Sequence, residues 1–186
     1  VVFSSYATNL VSPGTLHSQI FLRDREAGTT SLVSHAFGST EVGGSSDSLH
    51  PVISGDGTRV VFYSYSTDLL ESTMAVAQVY AYSRLTGDIA LVSCQSGSTT
   101  SGGNNESYDP VVSNNGRYVA FPSYSTNLVA TATSGMQVFV RDLEENSTAL
   151  VSCRNGSTTV GGNNVNAMPS ISADGRYVAF RSSSTD

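Results

Sequence analysis

The sequence predicts an all-β fold assembled from repeated units, and three observations carry this prediction. A 59-residue period recurs along the chain without a gap. Each period contains four short strand patterns and no helical pattern. An Asp-Gly or Asn-Gly pair, which suits a tight hairpin turn, stands at the same place in each of three periods.

The period is defined by residues of several chemical types. The sets that recur with the 59-residue period are Phe3, Phe62, Phe121 and Phe180; Gln19, Gln78 and Gln137; Leu32, Leu91 and Leu150; the pairs Gly43-Gly44, Gly102-Gly103 and Gly161-Gly162; Pro51, Pro110 and Pro169; and Gly57, Gly116 and Gly175. We take residues 1–186 as a single domain with repeat units of approximately 3–61, 62–120 and 121–179, and residues 180–186 begin a further unit.

Four strands are predicted in each unit. The first strand opens at a proline, which a strand tolerates there because the missing N–H need not break the ladder. The predicted first strands are 51–54, 110–113 and 169–172, the second 59–64, 118–123 and 177–182, the third 19–23, 78–82 and 137–141, and the fourth 30–34, 89–93 and 148–152. Four antiparallel strands in a repeat of this length are typical of a propeller blade. The sequence therefore predicts a β-propeller segment of three four-stranded antiparallel blades.

Three segments carry a family resemblance. Ser-Ala-Asp-Gly-Arg-Tyr-Val-Ala-Phe at 172–180, Ser-Thr-Asn-Leu-Val at 125–129 and Gln-Val-Phe-Val-Arg-Asp at 137–142 resemble the TolB-type, WD40-like PD40 repeat. The resemblance implies a ring of six to eight blades, bacterial origin and an extracytoplasmic location, which is periplasmic, secreted or cell-surface. Many members carry an Asp-rich loop before the third strand, but this chain has none there, so we expect no metal.

Charge and hydropathy exclude two classes of partner. The net charge is −6, and all nine basic residues are scattered arginines, whereas nucleic-acid binding needs clustered positive charge. No apolar run reaches the roughly 18 residues of a membrane span. We therefore expect no nucleic acid partner and no membrane span.

The cysteines and the Gly-rich loops give no indication of a cofactor site. Cys94 and Cys153 fall at equivalent places on fourth strands of adjacent units, more than about 10 Å apart, and a disulfide needs Cα atoms within roughly 7 Å. We predict two free thiols. The Gly-rich loops lack the Gly-Lys-Ser/Thr ending of a phosphate loop, so we interpret them as linking turns. We expect no cofactor and assign no catalytic residue.

The candidate site lies where the repeat units differ from one another. The residues before the first-strand prolines are His50, Asp109 and Met168, and Tyr108 precedes Asp109. In a propeller these positions lie at the mouth of the central channel. If this face binds a ligand, His50, Tyr108 and Asp109 are the polar and aromatic groups that we expect to contact it.

Three functions remain open from the sequence. The leading hypothesis is a non-catalytic binding scaffold that presents a loop-rich face to a protein or glycan. The alternatives are a hydrolase-like enzyme with its site at the channel mouth and a purely structural segment of a larger propeller. Because three blades cannot close a ring of about 4–8, the chain is either part of a longer propeller or one half of a homodimeric six-bladed ring.

Overall fold

The computed structural model covers residues 1–186, which form thirteen strands and no helix. The strands are β1 Val2–Ser5, β2 Gln19–Asp24, β3 Thr29–Leu32, β4 Ser48–Ile53, β5 Arg59–Ser64, β6 Gln78–Ser83, β7 Ile89–Leu91, β8 Val111–Val112, β9 Tyr118–Ser123, β10 Gln137–Asp142, β11 Ser147–Leu150, β12 Asn166–Ile171 and β13 Val178–Ser182. No segment forms a helix long and apolar enough to span a membrane.

The strands pair with their sequence neighbours in four antiparallel sheets, which confirms the all-β prediction. The first sheet contains β1–β3, the second β4–β7, the third β8–β11 and the fourth β12–β13. Only two of the four sheets therefore have the four strands predicted for every blade. The predicted units begin in a second strand, and hydrogen bonding joins each first strand to the second strand that follows it. Each predicted unit thus contributes strands to two neighbouring sheets.

Two of the three first strands, β4 and β12, begin earlier than predicted, whereas β8 begins at Val111, one residue after its proline. Pro51 was expected to open its strand, but β4 starts at Ser48, and its register against β5 shifts between Leu49 and Val52. This shift is a β-bulge, where a proline is tolerated because its position takes no part in the ladder. The residue before it, His50, has a φ of 50°. In β4 and β12 the repeated proline thus indicates a bulge within the strand rather than a strand start.

Apolar side chains from both faces of each central strand fill the spaces between the sheets. Along β5, Val60 and Phe62 belong to a core cluster shared with the first sheet. Val61 and Tyr63, which alternate with them, belong to a second cluster that includes Phe121 of the third sheet. Phe62 and Phe121 are fully buried, as predicted. Burial on both faces explains why these strands read as nearly continuous apolar runs.

A buried polar network explains the recurrence of glutamine. Gln78 Nε2 donates to the carbonyl of Gly103 (3.0 Å), and Ser93 Oγ donates to Gln78 Oε1 (2.5 Å). Ser93 Oγ in turn accepts the backbone N–H of Val79 (2.9 Å). The same contacts recur at Gln19 with Ser34 and Gly44, and at Gln137 with Ser152 and Gly162. Each network ties a third strand to its fourth strand and to the outgoing linker.

The Gly-rich segments are linking turns held by the next sheet. A Cβ on Gly103 would lie 2.3 Å from Ser125 Oγ, so only glycine fits there. In each linker, one backbone N–H donates a hydrogen bond to a side-chain oxygen in the loop of the following sheet. The donors and their acceptors are Ser45 and Asp68 (2.8 Å), Asn104 and Asn127 (3.0 Å), and Asn163 and Asp186 (3.0 Å). We call these contacts the linker clamps.

Both cysteines are free thiols, as predicted. Cys94 is buried and Cys153 is half-buried, and each Sγ donates to the carbonyl three residues earlier, Leu91 at 3.0 Å and Leu150 at 3.3 Å. Burial raises the pKa of both thiols above the ordinary value. Desolvation therefore favours the neutral, unreactive form of each cysteine.

An ion pair specific to the third sheet makes stability depend on pH. Arg117 contacts Asp142 through Nη2 (2.7 Å) and Nε (3.0 Å). Burial opposes ionisation of Asp142, but the hydrogen bonds from Arg117 and from the N–H groups of Glu145 and Glu144 outweigh it, so the pKa falls below 3.8. A carboxyl group whose pKa is lowered by folding stabilises the folded state at pH values above its pKa in the unfolded chain. This stabilisation is lost as the pH falls through its pKa in the folded protein.

We therefore expect Arg117→Gln to lower the thermal unfolding midpoint at pH 7, with a smaller effect at an acidic pH below the lowered pKa of Asp142, where the carboxyl group is protonated. Circular dichroism melts at the two pH values measure this difference. Arg154→Gln is the matched control, because Arg154 is exposed and forms no ion pair. An equal loss at both pH values would contradict the assignment of the stability to this pair.

Candidate functional site

One end of the sheets carries the long loops and the linkers. Antiparallel pairing places the loops after β1, β5 and β9 at the same end as the linkers that follow β3, β7 and β11. We call this end the loop face, and it consists of residues 6–18, 33–47, 65–77, 92–106, 124–136, 151–165 and 183–186. The opposite end, which carries the short turns, is the turn face.

The loop face holds nearly all of the net negative charge. Its acidic residues are Glu41, Asp47, Asp68, Glu71, Glu106 and Asp186, and its one arginine is Arg154, which gives a net charge of −5. The rest of the chain has nine acidic residues and eight arginines, a net charge of −1. The two ends of the sheets therefore present different electrostatic surfaces to a partner.

A cavity of about 440 Å³ opens between the first strands of three successive sheets. β4, β8 and β12 are edge strands of their sheets, and β8 contacts both of the others. The cavity is lined by His50, Pro51, Val52, Asp109, Pro110, Val111, Met168 and Pro169. Two of the three predicted site residues, His50 and Asp109, therefore share one cavity.

His50 and Asp109 contact each other across two sheets. The distance from His50 Nδ1 to Asp109 Oδ1 is 2.7 Å, and the side chains are 63% and 53% exposed. Both residues have positive φ, 50° and 38°, a conformation in which His and Asp are enriched among residues other than glycine. The backbone before two of the three prolines thus holds a polar side chain at the cavity wall, and the third carries Met168 there. The second Asp109 oxygen is free of intramolecular hydrogen bonds.

Tyr108, the third predicted site residue, lies in an aromatic cluster beside this cavity. Its ring stands edge-on to Tyr63, with centroids 5.3 Å apart, and Tyr63 lies 5.4 Å from the His50 ring. The Tyr108 hydroxyl donates to Glu106 Oε2. Burial raises the pKa of the Tyr108 phenol, and Glu106 and Tyr65 raise it further. Ring contacts through the buried Tyr63 therefore connect Tyr108 with His50 at the cavity wall.

Glu106, Tyr63 and Tyr65 were not predicted from the sequence as site residues. The exact recurrence of Tyr6, Tyr65 and Tyr124 with the repeat favours packing between units, but Tyr65 is 42% exposed, and its ring lies edge-on to Tyr63 at 6.0 Å. Its repeat counterparts Tyr6 and Tyr124 are also exposed. Glu106 has an acidic repeat counterpart, Asp47, in the preceding unit. That recurrence is the signal that would have identified it.

A second tyrosine and carboxylate meet one sheet earlier. The Tyr6 hydroxyl donates to Asp47 Oδ2 (2.9 Å), and Asp47 Oδ1 accepts the N–H of Ser18 (2.9 Å). The hydrogen bond to Asp47 raises the pKa of the Tyr6 phenol. In the third unit the acidic position is occupied by Val165, which is exposed. A tyrosine hydroxyl and a carboxylate thus meet at two of the three boundaries between sheets, through Tyr6 at the first and Tyr108 at the second.

The donor set of this face does not form a metal centre. No group of three or more His, Cys, Asp or Glu side chains is positioned to hold a metal ion anywhere in the chain. The surface instead combines phenol rings, carboxylates and one His–Asp pair, a set that binds by hydrogen bonding, charge and ring contact.

Comparisons with known proteins identify a fold rather than a family. No family model matches the chain, and no curated protein matches it. It is similar to tricorn protease (TM-score 0.52, 12% identity), Kuenenia stuttgartiensis hydrazine synthase (TM-score 0.50, 8% identity) and a protein assigned as TolB from Agrobacterium tumefaciens (TM-score 0.48, 18% identity). The matches cover 88%, 89% and 89% of this chain.

The chain spans only part of each similar structure, namely 13% of tricorn protease, 24% of hydrazine synthase and 51% of the TolB protein. At these identities, the likeness to the first two shows a shared fold and nothing about activity. The resemblance to the PD40 repeat remains a prediction from the sequence. What the comparisons do show is that the antiparallel sheets of this chain are similar in fold to those of propeller-type proteins.

Proposed function

We propose that the four sheets are successive blades of a β-propeller segment with a 59-residue repeat, and that the loop face, together with the adjoining cavity between β4, β8 and β12, is a non-catalytic binding surface for a protein or glycan. The regular pairing of sequence-neighbouring strands supports the first part. The edge strand β8 contacts both β4 and β12, as the inner strands of neighbouring blades would.

The cavity with its His50–Asp109 pair is the observation that carries the binding proposal. A proline stands at this place in every unit, and Pro51, Pro110 and Pro169 all line the cavity. The residue before the proline differs in each unit, so the packing of the sheets does not dictate it. A concave surface with apolar walls and a few convergent polar groups is typical of ligand sites.

The proposed location is outside the bacterial cytoplasm. The chain is rich in Ser, Thr, Gly and Asn and poor in charged residues, which make up 13% of the total. This composition suits an exported surface protein, and the PD40-like segments support the same location. The proposed partner therefore reaches the loop face in the periplasm, at the cell surface or outside the cell.

Binding to an immobilised glycan array and an immobilised array of random heptapeptides tests the proposal. We expect at least one array member to bind, and His50→Ala or Asp109→Ala to raise its Kd about tenfold, which corresponds to roughly 1.4 kcal/mol. Both side chains are exposed, so their loss removes contacts to the ligand without removing core packing.

Asp88→Ala is the matched control for Asp109→Ala. Asp88 is an exposed aspartate on the turn face, between β6 and β7. Its replacement is expected to leave the Kd unchanged. Array members whose Kd changes with Asp88→Ala but not with His50→Ala or Asp109→Ala would place binding on the turn face and refute the proposal.

A further inference from the structure

Two tyrosine–carboxylate pairs occupy neighbouring boundaries between sheets on the loop face. Tyr6 and Asp47 form the first pair, between the first and second sheets. Tyr108 and Glu106, with Tyr65 beside them, form the second, between the second and third sheets. Asp47 and Glu106 are one repeat apart, but their tyrosine partners come from different positions, because the repeat counterpart of Tyr6 is Tyr65 and not Tyr108. A phenol and a carboxylate therefore meet at both boundaries, with a different tyrosine supplying the hydroxyl at each.

The second pair has capacity for a further donor. Glu106 Oε2 accepts the Tyr108 hydroxyl, and Glu106 Oε1 accepts no hydrogen bond within the chain. The Tyr65 ring beside it is 42% exposed. An exposed phenol ring and a carboxylate with a free oxygen together suit an ammonium or guanidinium group, which a ring face attracts and a carboxylate hydrogen-bonds.

The charge of the surrounding surface selects the same class of ligand. The loops and linkers of the first two sheets contain five acidic residues and no arginine, and Arg154 lies in the last linker, after the third sheet. A surface of one sign attracts a partner of opposite charge and repels one of the same charge. An acidic peptide or anionic glycan is therefore disfavoured at both pairs.

We propose that the loop face binds a basic segment of a protein chain, with one Lys or Arg side chain at Tyr6–Asp47 and another at Tyr65–Tyr108–Glu106. This inference rests on the proposed function and narrows its partner from a protein or glycan to a protein segment with at least two basic residues. The His50–Asp109 cavity lies beside the second pair through Tyr63 and contacts the same segment.

Isothermal titration with a tetra-arginine peptide tests the proposal, with a tetra-glutamate peptide and maltotetraose as comparison ligands. We expect only tetra-arginine to bind, with a Kd that rises with salt as surface charges are screened. Glu106→Gln and Asp47→Asn are each expected to raise the Kd about threefold to tenfold, because each removes one charge and keeps an acceptor oxygen for its tyrosine.

Two further variants separate a local contact from overall charge. Glu26→Gln makes the same change of net charge at an exposed position on the turn face, and the Kd is expected to stay the same. Val165→Glu places a carboxylate at the third boundary, at the exposed repeat position that Asp47 and Glu106 occupy in the other units. It is expected to lower the Kd about threefold.

Equal Kd values for tetra-arginine in Glu106→Gln, Asp47→Asn and Glu26→Gln would overturn the proposal. A second result would also overturn it: tetra-arginine does not bind, but maltotetraose or tetra-glutamate does, and Asp109→Ala abolishes that binding. This result would leave the proposed function intact. If array ligands instead bind independently of His50 and Asp109, the proposed function fails as well. The two failures are therefore distinguishable.

Discussion

Phe121→Ala is expected to lower the free energy of unfolding by about 3–5 kcal/mol. Phe121 is fully buried and stacks on Phe139, with ring centroids 6.0 Å apart. It belongs to the core cluster shared by the second and third sheets, where Val61 and Val79 are also fully buried. Alanine would leave a cavity that neither sheet can close without moving away from its hydrogen-bonded partners. Urea unfolding followed by circular dichroism measures the loss.

Phe37→Ala is the matched control, because Phe37 is 60% exposed on a linker. Its replacement is expected to change stability by less than about 0.5 kcal/mol. If Phe121→Ala does not fold, Phe121→Leu retains most of the volume and is expected to cost about 1–1.5 kcal/mol. If either Phe121 variant loses no more stability than this exposed control, the two sheets do not share one core.

Gln78→Leu is expected to cost about 2–4 kcal/mol, although it preserves side-chain volume, because each buried group left without a partner costs about 1–3 kcal/mol. Gln78 is fully buried, and leucine can neither donate to the Gly103 carbonyl nor accept from the Ser93 hydroxyl. Urea unfolding gives the magnitude. Hydrogen exchange at the Gly103 N–H, which bonds to the Ser93 carbonyl, reports whether the linker loosens.

Gln95→Leu makes the same substitution at an exposed position in the following linker and is expected to change stability by less than about 0.5 kcal/mol. The difference between the two stability changes isolates the effect of the buried hydrogen bonds of Gln78, because the change from glutamine to leucine is the same in both variants. Equal unfolding midpoints for the two variants would mean that the repeated glutamines are not structural. Their recurrence at every third strand would then need a different explanation.

Local signals in the sequence predicted the second and third strands closely. β5 and β9 begin and end where predicted, because an Asp-Gly or Asn-Gly turn precedes each one. The third strands start at the predicted glutamines Gln19, Gln78 and Gln137. The first strands were predicted less well because their bulge depends on how β4 pairs with β5. No pattern within 51–54 alone shows that pairing begins at Ser48.

The candidate site was likewise predicted only in part. His50 and Asp109 were predicted together because equivalent positions of adjacent repeats come side by side when the sheets pack. Tyr63 was not predicted, because its place in an alternating apolar strand reads as core, and only the packing of two sheets brings it between His50 and Tyr108. Glu106 was not predicted because it lies on a linker, whereas Tyr108 lies at a strand edge. Only the folded structure brings the Glu106 carboxylate into contact with the Tyr108 hydroxyl.

The linker clamps have a consequence for how the chain can change in length. Each clamp joins a linker only to the loop of the next sheet, and the residue types involved recur with the 59-residue period. Duplication or loss of one whole period would recreate the same contact at the new junction, whereas a change of any other length would leave linker N–H groups without acceptors. The contacts between linkers and loops therefore favour evolution in steps of a complete repeat unit, in which the number of sheets changes while the structure of each sheet is kept.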